Sequence, residues 1–381
     1  MGKRIDATIA RAVAEERVVG AVVTVSIDGA VAYQRAFGWA DREARRPMQV
    51  GTAFRLASIT KPVVTLAALR LVELGQLRLD APVTDYLSTF RPKLPGGEAP
   101  VITIAQLLLH TSGLGYGFEE DQQGAYARLG VSDGLDSSRI TLAENLRRLA
   151  QAPLYFAPGT QWRYSLGLDV VGAVIESVRG QPLPHAVDAL VLQPAGVKGF
   201  RFVSPRSRML ATPYADGKPQ PVRMTRDMRV TAAGAPAGTA VAFDPGRAYA
   251  GNAFPSGGGG MQGTAPGVLE LLEIIRTGGA PVLKQGGMGP PFQALVGEQA
   301  QTQGPGWGFG LGGAVLVDPA AAHTPQSAGT LQWGGAYGHN WFVDPARRLS
   351  VVMLTNTAFE GMNGALTTEL RDAVYGVTAP A

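Results

Sequence analysis

A serine and a lysine three positions apart, Ser58 and Lys61, sit in the most chemically loaded stretch of the chain, Phe54-Arg55-Leu56-Ala57-Ser58-Ile59-Thr60-Lys61-Pro62. On a helix beginning there, the two side chains share a face. A serine hydroxyl is a poor nucleophile at its free pKa and needs a neighbouring base to take its proton. Lysine is ordinarily protonated, but burial disfavours the ammonium and leaves a neutral amine able to act. The residues that follow supply such surroundings: Val63, Val64, Leu66, Ala67, Ala68, Leu69, Leu71, Val72 and Leu74 leave almost no polar face before Gly75. A helix apolar all round is a buried helix. Pro62 is tolerated in the first turn, where its missing N–H would lack a partner anyway. Backbone N–H groups at that helix end can meet a developing oxyanion. A serine before an apolar helix also reads as an N-cap, so the rest of the chain has to separate the two readings.

Other chemistries find less support. The Gly-x-Ser-x-Gly elbow of Ser-His-Asp hydrolases is set aside, on the expectation that no serine sits in that frame. The four histidines, His110, His185, His323 and His339, form no His-Glu-x-x-His pair and read as packed or surface residues rather than metal ligands. There is no Walker phosphate loop, and the absence of cysteine removes disulfides, thiolate nucleophiles and thiolate metal sites together. No metal and no cofactor is expected. The glycines of Gly308-Phe309-Gly310-Leu311-Gly312-Gly313 match a dinucleotide fingerprint in letters, but they interrupt a strand pattern with no helix following. They read as a strand that another backbone approaches closely.

The elements that must position these residues follow from periodicity. Ile5, Ile9, Ala12 and Val13 predict a helix over 5–16. Strands at 18–27 and 31–39 then flank Asp28-Gly29, a two-residue hairpin signal. From about 80 to 200 the pattern is mainly helical: an apolar helix over 102–110, a capping-box start at Thr141 and Glu144, and a helix through Val170, Val171, Val174, Ile175 and Val178 that stops at Gly180. The stretch 205–260, rich in Pro, Gly, Arg and Met, has little periodicity and reads as a substrate-covering region or an elaborated surface. A helix over 266–276 is followed by strands at 307–317, 331–334, 337–343 and 349–355, and a last helix carries Leu366, Leu370 and Val374. Strands at both ends with helices between predict one sheet assembled from distant halves of the chain. The domains expected are a discontinuous α/β unit, 1–79 with 257–381, and a mostly helical unit over 80–256.

Composition bounds the partners. Across 381 residues, 34 Lys+Arg against 30 Asp+Glu give a formal net charge of +4, with no dense basic block, so nucleic acid is not expected. No uninterrupted apolar run reaches membrane-spanning length. The first residues, Met1-Gly2-Lys3-Arg4-Ile5-Asp6, lack an apolar signal core, which predicts a cytoplasmic chain, or a periplasmic one where a leader has been removed.

Three separated stretches occur in the order of one known pattern: Ser58-Ile59-Thr60-Lys61, Tyr164-Ser165-Leu166, and Trp333-Gly334-Gly335 in a late strand. Together they resemble the serine beta-lactamase and penicillin-binding-protein superfamily. The chain looks most like its class C branch and, closer still, the bacterial esterases with a beta-lactamase fold, the family VIII carboxylesterases. Leu109-His110-Thr111-Ser112-Gly113-Leu114, the run Gly257 to Gly260, and Gly338-His339 extend the resemblance along nearly the whole length. It implies an α+β fold, an antiparallel sheet flanked by helices joined to a mostly helical domain, with the active site in the cleft between. It further implies that Ser58 is the acylated nucleophile, Lys61 its proton acceptor, and Tyr164 a group hydrogen-bonded to both. The oxyanion hole would be the N–H groups of Ser58 and Ala336. Tyr116 would face the nucleophile from its loop.

Two departures from the lactamase pattern bear on substrate. Trp333, Gly334 and Gly335 stand where lactamases carry a cation, a hydroxyl and a glycine, and an aromatic wall favours neutral, apolar groups. Leu166 replaces the asparagine of the Tyr-x-Asn triplet, removing an amide that would bond an acylamino side chain. The expectation is a serine carboxylesterase acting on short-chain esters through an acyl-enzyme, with a small-molecule ester as partner. The alternatives are acyl transfer to an alcohol, beta-lactam or D-peptide hydrolysis, and a non-catalytic binding protein on the same fold.

Overall fold

The computed structural model describes residues 1–204, 209–232, 234–284, 293–300 and 302–377. The expected irregular stretch therefore loses 205–208 and 233, which lie outside the described residues. Among the described residues the main sheet has eight strands: β1 Gly20–Ile27, β2 Ala30–Asp41, β3 Arg46–Pro47, β4 Trp307–Gly310, β5 Gly313–Leu316, β6 Leu331–Gly335, β7 His339–Asp344 and β8 Leu349–Thr355. They run in the order β4-β5-β6-β7-β8-β1-β2-β3, with every pairing antiparallel. The two ends of the chain meet at the β1–β8 pairing, where Val23 stands opposite Met353. This is the sheet from distant halves that the strand order predicts.

Both faces of the sheet are covered, which is why β1 is buried along nearly its whole length rather than on alternate residues. On one face lie α1 (Gly2–Ala14) and α6 (Ala365–Tyr375), packed through Ile5, Ile9, Leu366 and Leu370 onto Val23, Val25, Val351 and Met353. On the other lie α2 (Thr60–Glu73) and α5 (Ala265–Arg276). The residues α2 buries include Val63, Val64, Leu66 and Leu71, and each contributes about 1.5–3 kcal/mol of transfer free energy. Two helices of the middle segment, α3 (Ile104–Leu108) and α4 (Gly167–Arg179), share this apolar cluster through Leu107, Val171 and Val174.

Two local expectations change. The strand expected over 307–317 is a hairpin, β4 and β5, turned at Leu311-Gly312, where Gly312 has φ +99°. A two-residue loop needs that positive φ, and glycine adopts it without strain. The close approach expected at its glycines does occur, since a Cβ on Gly308 would lie 2.5 Å from the Val296 carbonyl oxygen. The full capping box is at Thr103 and Gln106, whereas Glu144 turns its carboxylate to Arg147 and Arg148 and leaves Thr141 to cap alone. No helix among the described residues is long and apolar enough to cross a membrane.

Candidate active site

Ser58 lies in a single 3-10 turn, Ala57–Ile59, immediately before α2. The cap positions of the turn and of α2 are held by Leu56 and Ile59, so the N-cap reading of Ser58 fails. The turn is held from three sides. The short strand Ala53–Arg55 pairs with Gln262–Thr264, the Leu56 N–H donates to Met261 O at 2.9 Å, and the Met261 N–H donates to Thr60 Oγ1 at 3.0 Å. Ala57 is forced to φ +46°, a conformation that costs a residue with a Cβ and persists only where its surroundings over-determine it. These ties also carry the run Gly257 to Gly260 over the start of α2.

Three groups converge on Ser58. Tyr164 Oη donates to Ser58 Oγ at 2.8 Å, and Lys61 Nζ stands 3.1 Å from the same oxygen. Lys61 Nζ also donates to Gly258 O at 2.7 Å, and Trp333 Nε1 donates to Tyr164 Oη at 3.3 Å. One expectation is corrected: Tyr164 bonds Ser58 but not Lys61. The amine lies instead over the faces of two rings, 4.5 Å from the Tyr164 centroid and 5.2 Å from that of Tyr116. Beneath those rings the Lys61 amine bridges the Ser58 hydroxyl and the Gly258 carbonyl.

Burial sets the protonation states. Lys61, 3% exposed, is lowered to about 7 by desolvation, against the opposing pull of Asp169 and Asp133. Asp169, in the first turn of α4 and buried against Ser256 and Gly258, is raised chiefly by its own desolvation. Burial likewise raises the phenols of Tyr164 and Tyr116, keeping both neutral. Desolvation lifts Asp133 to about 7 although it accepts the N–H groups of Gly117 and Phe118. Glu119 is also raised to about 7 by burial, against the nearby Arg163 guanidinium at 3.3 Å.

The hydroxyl opens onto a cavity of about 390 Å³. Of the residues singled out from sequence, Ser58, Tyr116, Tyr164, Trp333, Gly334 and Ala336 line it. Lys61, which lies beneath the Tyr116 and Tyr164 rings, Leu166 and Gly335 do not. Leu166 is fully buried in the core at the start of α4, its N–H donating to Gly115 O. Gly335 is a spacer: a Cβ there would lie 2.5 Å from Leu56 O, so the lack of a side chain lets β6 reach the Ser58 turn. The sequence reading missed Phe118, Glu119, Asp133, Trp162 and Met362 on the same walls. Only Trp162 carried a signal, standing two residues before Tyr164 in an extended run.

His110 and His339 are buried, and His185 and His323 are exposed. The elbow frame set aside above is in fact present as Gly130-Val131-Ser132-Asp133-Gly134. Ser132 is buried and donates to Asp136 at 2.7 Å, with no histidine bonded to it, so this frame has no triad.

The chain belongs to the beta-lactamase family, whose model, described as Beta-lactamase, matches residues 5–375. It is 55% identical over 375 residues to Esterase EstB of Burkholderia gladioli, covering 98% of this chain and 95% of that protein. Among solved structures it is similar to EstCE1, described as a hydrolase with promiscuous acyltransferase activity, with TM-score 0.96 and 48% identity over 98% of both chains. A simvastatin synthase from Aspergillus terreus shares the fold, at TM-score 0.74 and 21% identity over 98% of this chain and 94% of that one.

Proposed function

We propose that the chain is a serine carboxylesterase that hydrolyses short-chain carboxylic esters through an acyl-enzyme on Ser58. The carrying observation is the convergence of a buried amine at 3.1 Å and a phenol at 2.8 Å on one serine oxygen in a cleft walled by Trp333. Lys61, lowered to about 7, is the base of the free enzyme, because the Tyr164 phenol is pushed upward and holds its proton. Ser58 Oγ gives its proton to Lys61 and bonds the ester carbonyl carbon, and the oxyanion is met by the N–H groups of Ser58 and Ala336. Collapse breaks the bond to the alkoxide, which takes the Tyr164 phenol proton, and the Lys61 ammonium beneath that ring returns its proton to the phenolate. Lys61, Tyr164 and water then reverse the sequence to release the acid. Likeness to an esterase at 55% identity supports the ester as substrate.

Acyl transfer to an alcohol is the second reading. It is favoured by the activity described for EstCE1 and by the apolar walls of Phe118, Trp162, Trp333 and Met362, which shelter an acyl-enzyme from water. The test is hydrolysis of 4-nitrophenyl butyrate by the wild type and by Ser58→Ala, with nitrocefin in parallel. Ester turnover lost in the variant, with little nitrocefin cleavage, is the expected result. Strong nitrocefin turnover would overturn the substrate class, and an active Ser58→Ala would overturn the nucleophile.

A further inference from the structure

His110 follows α3, whose C-cap is Leu109, and has φ +58°. That is the position at which helices commonly end on a left-handed glycine. A residue with a Cβ costs roughly 1–2 kcal/mol there, so the histidine needs a reason beyond ending the helix. The reason lies in the segment 55 residues on. The backbone O of His110 accepts the N–H of Arg163 at 2.9 Å, and His110 Nδ1 accepts the N–H of Ser165 at 3.2 Å. One residue therefore fixes the amides on both sides of Tyr164. Its ring also lies 4.8 Å from the Tyr164 ring and packs edge-on against Trp162 and Phe309. The imidazole is 1% exposed, and desolvation, aided by Lys61, lowers its pKa well below the usual value. It is neutral, and Nδ1, which also meets the Ser165 hydroxyl at 3.0 Å, accepts the Ser165 N–H, which places the ring proton on Nε2.

From this geometry we infer that His110 is the positioning residue for Tyr164, clamping the backbone on either side so that Oη stays within reach of Ser58 Oγ. The inference rests on the esterase reading, in which Tyr164 moves a proton. Glycine would satisfy the backbone better than histidine but has no acceptor, whereas asparagine tolerates the conformation and places Oδ1 where Nδ1 stands.

The test compares 4-nitrophenyl butyrate kinetics of wild type, His110→Gly and His110→Asn, with Ser58→Ala as the blank and thermal unfolding as the check on folding. Misplacement of a catalytic group by an ångström costs on the order of 100-fold, so His110→Gly should lose roughly ten- to hundredfold in kcat with KM within about threefold. His110→Asn should recover to within about threefold of wild type, because the acceptor is restored. Wild-type kcat in the glycine variant, equal losses in both, or a loss carried by KM would overturn the clamp. Where His110→Gly does not fold, His110→Gln replaces it, its acceptor displaced by one methylene. Asparagine active and glutamine impaired supports the inference, and any other ranking overturns it. Turnover that survives Ser58→Ala overturns the esterase reading itself, which separates that failure from failure of the clamp.

Discussion

Lowering the pH should switch this protein off through one group, Lys61. Its amine titrates at about 7 rather than the ordinary 10.5. At pH 7 about half of the molecules then hold a neutral amine, against roughly one in 3,000 for an unperturbed lysine. Each further pH unit downward removes neutral amine about tenfold. The expected profile of log(kcat/KM) for 4-nitrophenyl butyrate is a plateau above neutrality and a limb of unit slope below a midpoint near pH 7. Lys61→Arg keeps the charge but cannot deprotonate, and should cost about 1,000-fold or more across the range. Asp169 holds the Lys61 pKa up, so Asp169→Asn should move the limb to lower pH. Glu119 also titrates near 7 but faces Arg163, so Glu119→Gln should leave the midpoint in place. A limb that vanishes in Glu119→Gln, a limb unmoved in Asp169→Asn, or a Lys61→Arg variant within about tenfold of wild type would refute the assignment.

The Glu119 carboxyl, raised from 4.5 to about 7, binds more protons folded than unfolded in that window, so its contribution to stability is present below pH 4.5 and lost as pH rises through 7. Glu119→Gln should therefore gain thermal stability relative to wild type as pH is raised from 5 to 9, and a constant difference in Tm would contradict this. Trp333→Phe keeps the aromatic wall but loses the N–H that reaches Tyr164 at 3.3 Å. A kcat two- to tenfold lower is expected, about the worth of one hydrogen bond, and an unchanged kcat would remove that contact from the mechanism. Gly338 has φ +105°, and a Cβ there would fall 1.9 Å from Thr357 O. Gly338→Ala should cost roughly 3 kcal/mol or more in urea unfolding, and a loss below about 1 kcal/mol would mean that β7 can shift at no expense.

Local rules made much of this protein legible from its amino acids. The spacing of Ser58 and Lys61, the apolar run after Pro62 and the Asp28-Gly29 turn each act within one element, where periodicity and turn chemistry decide the outcome. Tyr164 and Trp333 were also legible, because their order along the chain follows a known pattern. The same reasoning misplaced Leu166 and Gly335. A letter in a motif does not say which way its side chain points once α4 is packed against the loop at Gly115, or how near β6 comes to Leu56.

What the tertiary structure decided is everything that depends on elements distant in sequence arriving at one point. The sequence alone determined that a buried lysine stands beside a serine. Only the fold put Gly258 O at 2.7 Å from its amine and set Asp169 and Asp133 close enough to oppose its loss of charge. It also placed Glu119 in the cleft and His110 on both sides of Tyr164. Desolvation and Coulomb interactions depend on distances through space, and chain spacing fixes those distances only within a single helix, strand or turn.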